Sequence, residues 1–207
     1  KTYQLAKCRV LGLGYSCGKA KFAVLAKMMC GLILTEKEAD LQVQDFRATN
    51  QGVVNLWGIH QKGIITSALN GHETHEIGLV SGRDLVYHKP HRRKVKVKNA
   101  KGEEYGRDEY FVSFNKGEPP RKVYGGLLTE NEIQATARDV LRDGWIALAG
   151  AGYKVLLTVH DEYVIEVEDT KVADALKDIP ALLKTTSPWT KGCPLDVEIN
   201  VSKFYMK

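Results

Sequence analysis

The stretch from Leu156 to Ile165 constrains this chain more than any other. Runs of β-branched and aromatic residues flank His160-Asp161-Glu162, the pattern of two short strands joined by a tight turn. Tight hairpin turns usually draw on Asn-Gly, Asp-Gly or similar pairs that accept positive φ, and this one contains no glycine. Turn geometry therefore does not account for the residues chosen. Adjacent carboxylates at the tip of an apolar hairpin are well placed to anchor a hard, oxygen-preferring cation such as Mg²⁺, so Asp161 and Glu162 are candidate ligands. An ordinary solvated hairpin tip is the other reading these residues leave open.

The chain has 207 residues, enough for one large domain or two small ones, and its 43% hydrophobic and 27% charged residues describe a soluble globular protein. The net charge of +5 is unevenly spread: Lys1, Lys7, Arg9, Lys19, Lys21 and Lys27 all precede the first acidic residue, Glu36. Such a segment repels itself unless a polyanion is near; phosphates are one candidate, and a solvated basic face is the alternative. Cys8, Cys17, Cys30 and Cys193 have neither zinc-ligand spacing nor the density of a disulfide framework, so they read as free thiols in a reducing compartment. No apolar run reaches the length of a membrane span and no signal peptide is recognisable, which makes a cytoplasmic location the expectation.

Lys7, Leu11 and Tyr15 stand at i, i+4 and i+8 and are expected to share one helix face. Gly12 and Gly14 weaken such a helix by about 1 kcal/mol each, which points to close approach of something to the backbone. Neither the dinucleotide-binding nor the phosphate-loop pattern is completed by Gly12, Gly14, Gly18 and Lys19. Further helices are expected from about 19 to 30, from a capping box at Thr35 and Glu38, and from about 50 to 69. His72 and His75, with Glu73 and Glu76, lack the histidine spacing of a zinc-protease helix.

From Ile77 to Phe114 polar and apolar residues alternate, most plainly in Lys94-Val95-Lys96-Val97-Lys98. This predicts a β-rich insert with one basic face; lysines that protect an exposed edge and lysines that meet a DNA backbone fit it equally. Turns are expected at 100–103 and 115–118. The strongest helix signal runs from about 130 to 149, opened by Thr129 with Glu132 and closed by Gly150 and Gly152. Ile133, Ala137, Val140, Leu141 and Leu148 form its expected buried face, and Gln134 and Arg138 share another. A helix from about 170 to 183 and a strand-like segment from 195 to 201 follow.

Four stretches, in this order, resemble one known family. Ala6-Lys7 with Leu11-Gly12-Leu13-Gly14-Tyr15 is similar to the fingers-helix motif of family A DNA polymerases, especially their phage branch. The run from Tyr124-Gly125-Gly126 to Arg138-Asp139 resembles the palm helix that precedes their catalytic hairpin, and Val159-His160-Asp161-Glu162 is similar to their third motif. Ser187-Pro188-Trp189, Pro194-Leu195 and Lys203-Phe204-Tyr205 resemble the closing segment. The sequence departs at Tyr3, where the family usually has arginine, at Leu11, where an aromatic is common, and at Ser16, in place of a common glycine. The family's first motif, with another metal-binding aspartate, is not among these residues.

The resemblance implies an α+β fold: a helical fingers portion (1–71), a β-rich insert or linker (72–123), and a C-terminal palm portion (124–207) with a small antiparallel sheet and flanking helices. It implies template-directed DNA synthesis, in which Asp161 and Glu162 bind two Mg²⁺ ions together with an aspartate from an upstream polypeptide. Lys7 would hold the dNTP triphosphate, Leu11 and Tyr15 would lie beside the nucleotide and templating base, and His160 would approach the primer end. Gln134, Arg138, Asn131 and His160 would contact primer-template DNA, where minor-groove acceptors common to every base pair allow copying of any sequence. The location implied for a phage enzyme is the bacterial host cytoplasm, away from the membrane. Two further functions stay open: a non-catalytic DNA-binding module that kept the fold, although binding alone needs neither Asp161 nor Lys7, and part of a single-subunit RNA polymerase.

Overall fold

The computed structural model describes residues 2–99, 101–185 and 187–205. Lys1 of the basic segment and Ala100 of the expected turn at 100–103 lie outside them. The fold is α+β, as expected, and the chain divides into two compact units: Lys1–Gly78 with Asp84–Ile133, and Leu79–Arg83 with Gln134–Lys207.

The first unit opens with α1 (Thr2–Cys8), which passes into a π-helical turn over Arg9–Leu13. The helix ends at Leu13, so the expected face of Lys7, Leu11 and Tyr15 is helical only as far as Leu11. Tyr15 instead lies beyond the helix, beside Ser16 at φ 64°. The close approach expected of the glycines is present: a Cβ on Gly12 would meet Leu25 at 3.2 Å, and the Gly14 carbonyl accepts a hydrogen bond from Trp57 Nε1 at 2.8 Å.

α2 (Lys19–Cys30) stops at Gly31 in the left-handed conformation, and α3 (Glu36–Thr49) starts with the predicted reciprocal capping box of Thr35 and Glu38. With α4 (Gln51–Leu69), these helices enclose a core that includes Leu13, Phe22, Ala26, Val43, Phe46 and Trp57. α3 also relieves part of the basic segment. Asp45 pairs with Arg9 at 2.5 Å and Glu36 with Lys19 at 2.9 Å.

β1 (Thr74–Gly78), β2 (Asp84–Lys98), β3 (Glu104–Ser113) and β4 (Arg121–Val123) form a four-stranded antiparallel sheet in that order. Ile77, Tyr87, Val112 and Val123 face Ile64 and Leu128, so in this part of the sheet alternate side chains enter one core. The β2–β3 register shifts between His88 and His91, where Lys89 takes φ 52°. Past that point the two strands run on as an arm whose residues are exposed or half-buried on both faces.

α5 (Gly125–Gly150) begins ahead of the predicted start. Thr129 is buried inside it, and its hydroxyl donates back to the Gly125 carbonyl at 3.0 Å instead of capping. Packing sets the start: a Cβ on Gly125 would lie 2.0 Å from the Trp57 carbonyl oxygen, and one on Gly126 2.4 Å from that of Tyr15. No residue with a side chain fits either position. Of the expected buried face, Leu141 and Leu148 are buried, whereas Ile133 and Ala137 are exposed and the charged Asp139 is buried.

In the second unit β5 (Lys154–Val159) and β6 (Glu162–Glu166) pair antiparallel with a bulge at Leu156, giving the predicted hairpin. α6 (Val172–Thr185) packs Ala175 and Ile179 with Leu148. The expected strand at 195–201 is not one. Half-buried Leu195, Val197 and Ile199 alternate with exposed Asp196, Glu198 and Asn200, but the segment has no ladder partner among the described residues. Among those residues no helix is long and apolar enough to cross a membrane.

Candidate active site

His160 and Asp161 form the turn between the paired residues Val159 and Glu162, and His160 sits at φ 53°. A left-handed backbone costs a non-glycine residue about 1–2 kcal/mol, so the turn presents an imidazole where glycine would be easier. Asp161 and Glu162 are exposed, and neither carboxylate makes a hydrogen bond or ion pair among the described residues. Two unengaged carboxylates on a two-residue-turn hairpin suit a hard cation as anchors. They do not form a complete cage, since no cluster of three or more His, Cys, Asp or Glu able to hold a metal ion occurs among the described residues.

The hairpin is held to α5 by a close approach. Tyr163 Oη donates to the Leu141 carbonyl at 2.8 Å, and a Cβ on Gly144 would come within 2.1 Å of Tyr163 Oη. Burial pushes the Tyr163 phenol up to about 12 against the opposing charge of Arg138, so it stays a donor at any physiological pH. Arg138 is exposed and reaches Thr158 Oγ1 of β5 at 3.5 Å; Gln134, one turn earlier, is also exposed.

Below these two residues α5 carries buried Asp139, 2% exposed. Its carboxylate accepts from Ser81 Oγ and from Arg83 Nε at 3.0 Å, with Arg142 at 3.6 Å. Burial alone would raise its pKa; the Ser81 and Arg83 hydrogen bonds and the two guanidinium charges outweigh that and hold it below the usual carboxylate value. One turn on, Asp143 accepts from Arg142 at 2.7 Å, Ser187 Oγ at 2.9 Å and Trp189 Nε1 at 3.0 Å, which ties the Ser187-Pro188-Trp189 stretch to the helix. Its pKa is lowered by the same balance.

The remaining candidates belong to the first unit. Lys7 is exposed and forms no ion pair among the described residues, and Leu11 is 44% exposed. Tyr15 is half-buried; burial and the charge of Glu130 raise its phenol pKa. Asn131 is turned inward, donating to Tyr87 Oη at 3.0 Å, and Glu132 meets His60 Nε2 at 2.7 Å. Lys7, Leu11, Tyr15 and Asn131 thus lie in one unit, and Gln134, Arg138, His160, Asp161 and Glu162 in the other.

Sequence reasoning missed Gly144, Ser81 and Arg83; it placed Gly125, Gly126 and Asp139 within the palm-helix resemblance and took Trp57 as an apolar helix position, with no individual role for any of them. The glycines carried a usable signal, because a helix tolerates glycine at a cost of about 1 kcal/mol chiefly where something packs too closely for a side chain. Nothing local links Arg83 to Asp139.

No family model matches the chain. Over 99% of its length the chain is 31% identical to the DNA polymerase of Bacillus phage SP02, and it spans 32% of that protein. The resemblance to a phage DNA polymerase carried by the four motifs is therefore borne out along nearly the whole chain.

Proposed function

We propose that this chain is the fingers and C-terminal palm portion of a family A DNA polymerase of the phage branch. Its reaction is template-directed transfer of a nucleotide from a dNTP to a primer 3′-hydroxyl. The observation that carries this reading is the pair of unengaged carboxylates, Asp161 and Glu162, at the tip of the hairpin packed on Gly144. Similarity to the phage enzyme supports it.

In this reading Asp161 and Glu162 hold Mg²⁺, which would neutralise phosphate charge and activate the attacking hydroxyl. Lys7 binds the triphosphate through its free ammonium group, a charge-assisted contact. Tyr15, whose backbone is pinned against Gly126, stands beside the templating base, with Leu11 next to it. Gln134 and Arg138 offer exposed donors to minor-groove acceptors, and His160 approaches the primer terminus. Asn131, engaged with Tyr87, supports the same helix from its inner side.

A carboxylate pair is too few ligands for two octahedral ions, so a further aspartate comes from an upstream polymerase polypeptide. That fits a chain spanning 32% of its relative. Leu156, Leu157 and Ile146, respectively 50%, 45% and 64% exposed, are apolar positions for that polypeptide to cover. The bacterial host cytoplasm is the place of action.

The test is Asp161→Asn in the complete enzyme. Primer extension should be abolished while primer-template affinity stays near wild type, because duplex affinity comes mainly from phosphate contacts. Extension at a near wild-type rate would remove the central claim.

A further inference from the structure

The arm formed by β2 and β3 has two unlike faces. Pairing of Arg92 with Tyr110, Lys94 with Asp108, Lys96 with Gly106 and Lys98 with Glu104 places four cations and two carboxylates on one of them. Arg92 pairs with Asp108 at 3.4 Å and Lys98 with Glu104 at 3.8 Å, whereas Lys94 and Lys96 form no ion pair among the described residues. Gly106 keeps this face open: the aliphatic stem of Lys94 lies 3.6–3.7 Å from where a Cβ at 106 would stand. On the opposite face the cations are engaged, where Lys94 and Lys96 are not. Glu109 pairs with both Arg107 and Lys122, and Arg93 lies over the Phe111 ring at 4.6 Å.

An arm of this kind gains little by itself. A two-stranded ribbon that buries few residues is marginal in water, and lysines two apart on a strand stand about 6.6–6.8 Å from one another with like charge. An external polyanion removes the repulsion. We propose that the Lys94-Lys96-Lys98 face of the arm binds the sugar-phosphate backbone of the duplex part of primer-template DNA. This rests on the polymerase reading and adds a contact surface to it. Duplex is favoured over single strand because single-strand platforms stack bases on exposed aromatics, and the one aromatic on this face, Tyr110, is half-buried at the base of the arm. Lysine ammonium groups on a flexible stem contact phosphates without reading bases, as an enzyme that copies any sequence requires.

The experiment measures affinity of the full chain for a primer-template duplex and for a single strand of equal length, by fluorescence anisotropy over a KCl series. It compares wild type with Lys94→Gln/Lys96→Gln. The expected result is weaker duplex binding with a log K against log salt slope about 1.8 units shallower, 0.9 for each lost phosphate contact, and unchanged single-strand binding. An unchanged duplex slope overturns the proposal, and so does a loss confined to single strands. Both positions are exposed, so the melting temperature should not move. If wild type neither binds primer-template nor, with Asp161 intact and its upstream polypeptide supplied, extends it, the polymerase reading falls and the arm with it. An unchanged slope beside normal Asp161-dependent extension refutes the arm alone.

Discussion

Replacing Gly144 by alanine opposes two terms of known size. Alanine is favoured over glycine in a helix interior by about 1 kcal/mol, and α5 is helical on both sides of this position. Against that, the new Cβ would stand 2.1 Å from Tyr163 Oη, 3.0 Å from its Cζ and 2.8 Å from Leu183 Cδ2. Overpacking of this kind costs about 1–3 kcal/mol, and losing the bond from Tyr163 to the Leu141 carbonyl costs about 1 kcal/mol more. The steric side wins, and the expected net loss is about 1–3 kcal/mol in urea unfolding. Tyr163→Phe alone should cost about 1 kcal/mol. In the Tyr163→Phe background Gly144→Ala should cost less, because the nearest atom is gone although Cζ and Leu183 remain, giving a coupling of about 1 kcal/mol in the double-mutant cycle. Since Tyr163 adjoins Glu162, Gly144→Ala in the complete enzyme should also slow primer extension. Equal or raised stability of Gly144→Ala, or no coupling to Tyr163, would refute the reasoning.

Arg83→Ala should destabilise by about 2 kcal/mol, less than the 3–5 for breaking a fully buried pair, because the Arg83 side chain is 41% exposed while Asp139 is buried. Asp139 is held below its ordinary value of 3.8, so its contribution is present above about pH 4 and lost as pH falls through the lower native value; without the guanidinium the carboxyl is less depressed, so the stability of Arg83→Ala should fall less than that of wild type as pH drops below about 4. His75 behaves in the same sense: burial, with the charge of His60, lowers its pKa from 6.5, and its Nε2 is buried with no partner among the described residues. Its neutral form therefore contributes fully above about pH 6.5, and stability declines as pH falls from there toward the native value. His75→Leu should flatten that decline in melts between pH 5 and 7; an unaltered slope would assign the proton to another group.

The boundaries legible in the sequence are those set by interactions a few residues long. The capping box of Thr35 and Glu38, the stop at Gly31, and the alternation that leads into Val159 and out of Glu162 all act within one turn or one strand pair, so the linear pattern carries them. It also determined which side chains bear charge at the hairpin tip. Tertiary structure decided the rest. The Trp57 bond to the Gly14 carbonyl and the start of α5 at Gly125 depend on chain segments meeting across 43 and 64 residues. Burial of Asp139 relies on Ser81 and Arg83, 58 and 56 positions earlier, which donate hydrogen bonds to it and, through Arg83, oppose its charge, and the 195–201 segment stays outside any sheet because no described strand lies beside it. Periodicity and propensity are properties of neighbours in the chain. Clearance for a Cβ, compensation of a buried charge and a partner for a strand edge are properties of neighbours in space.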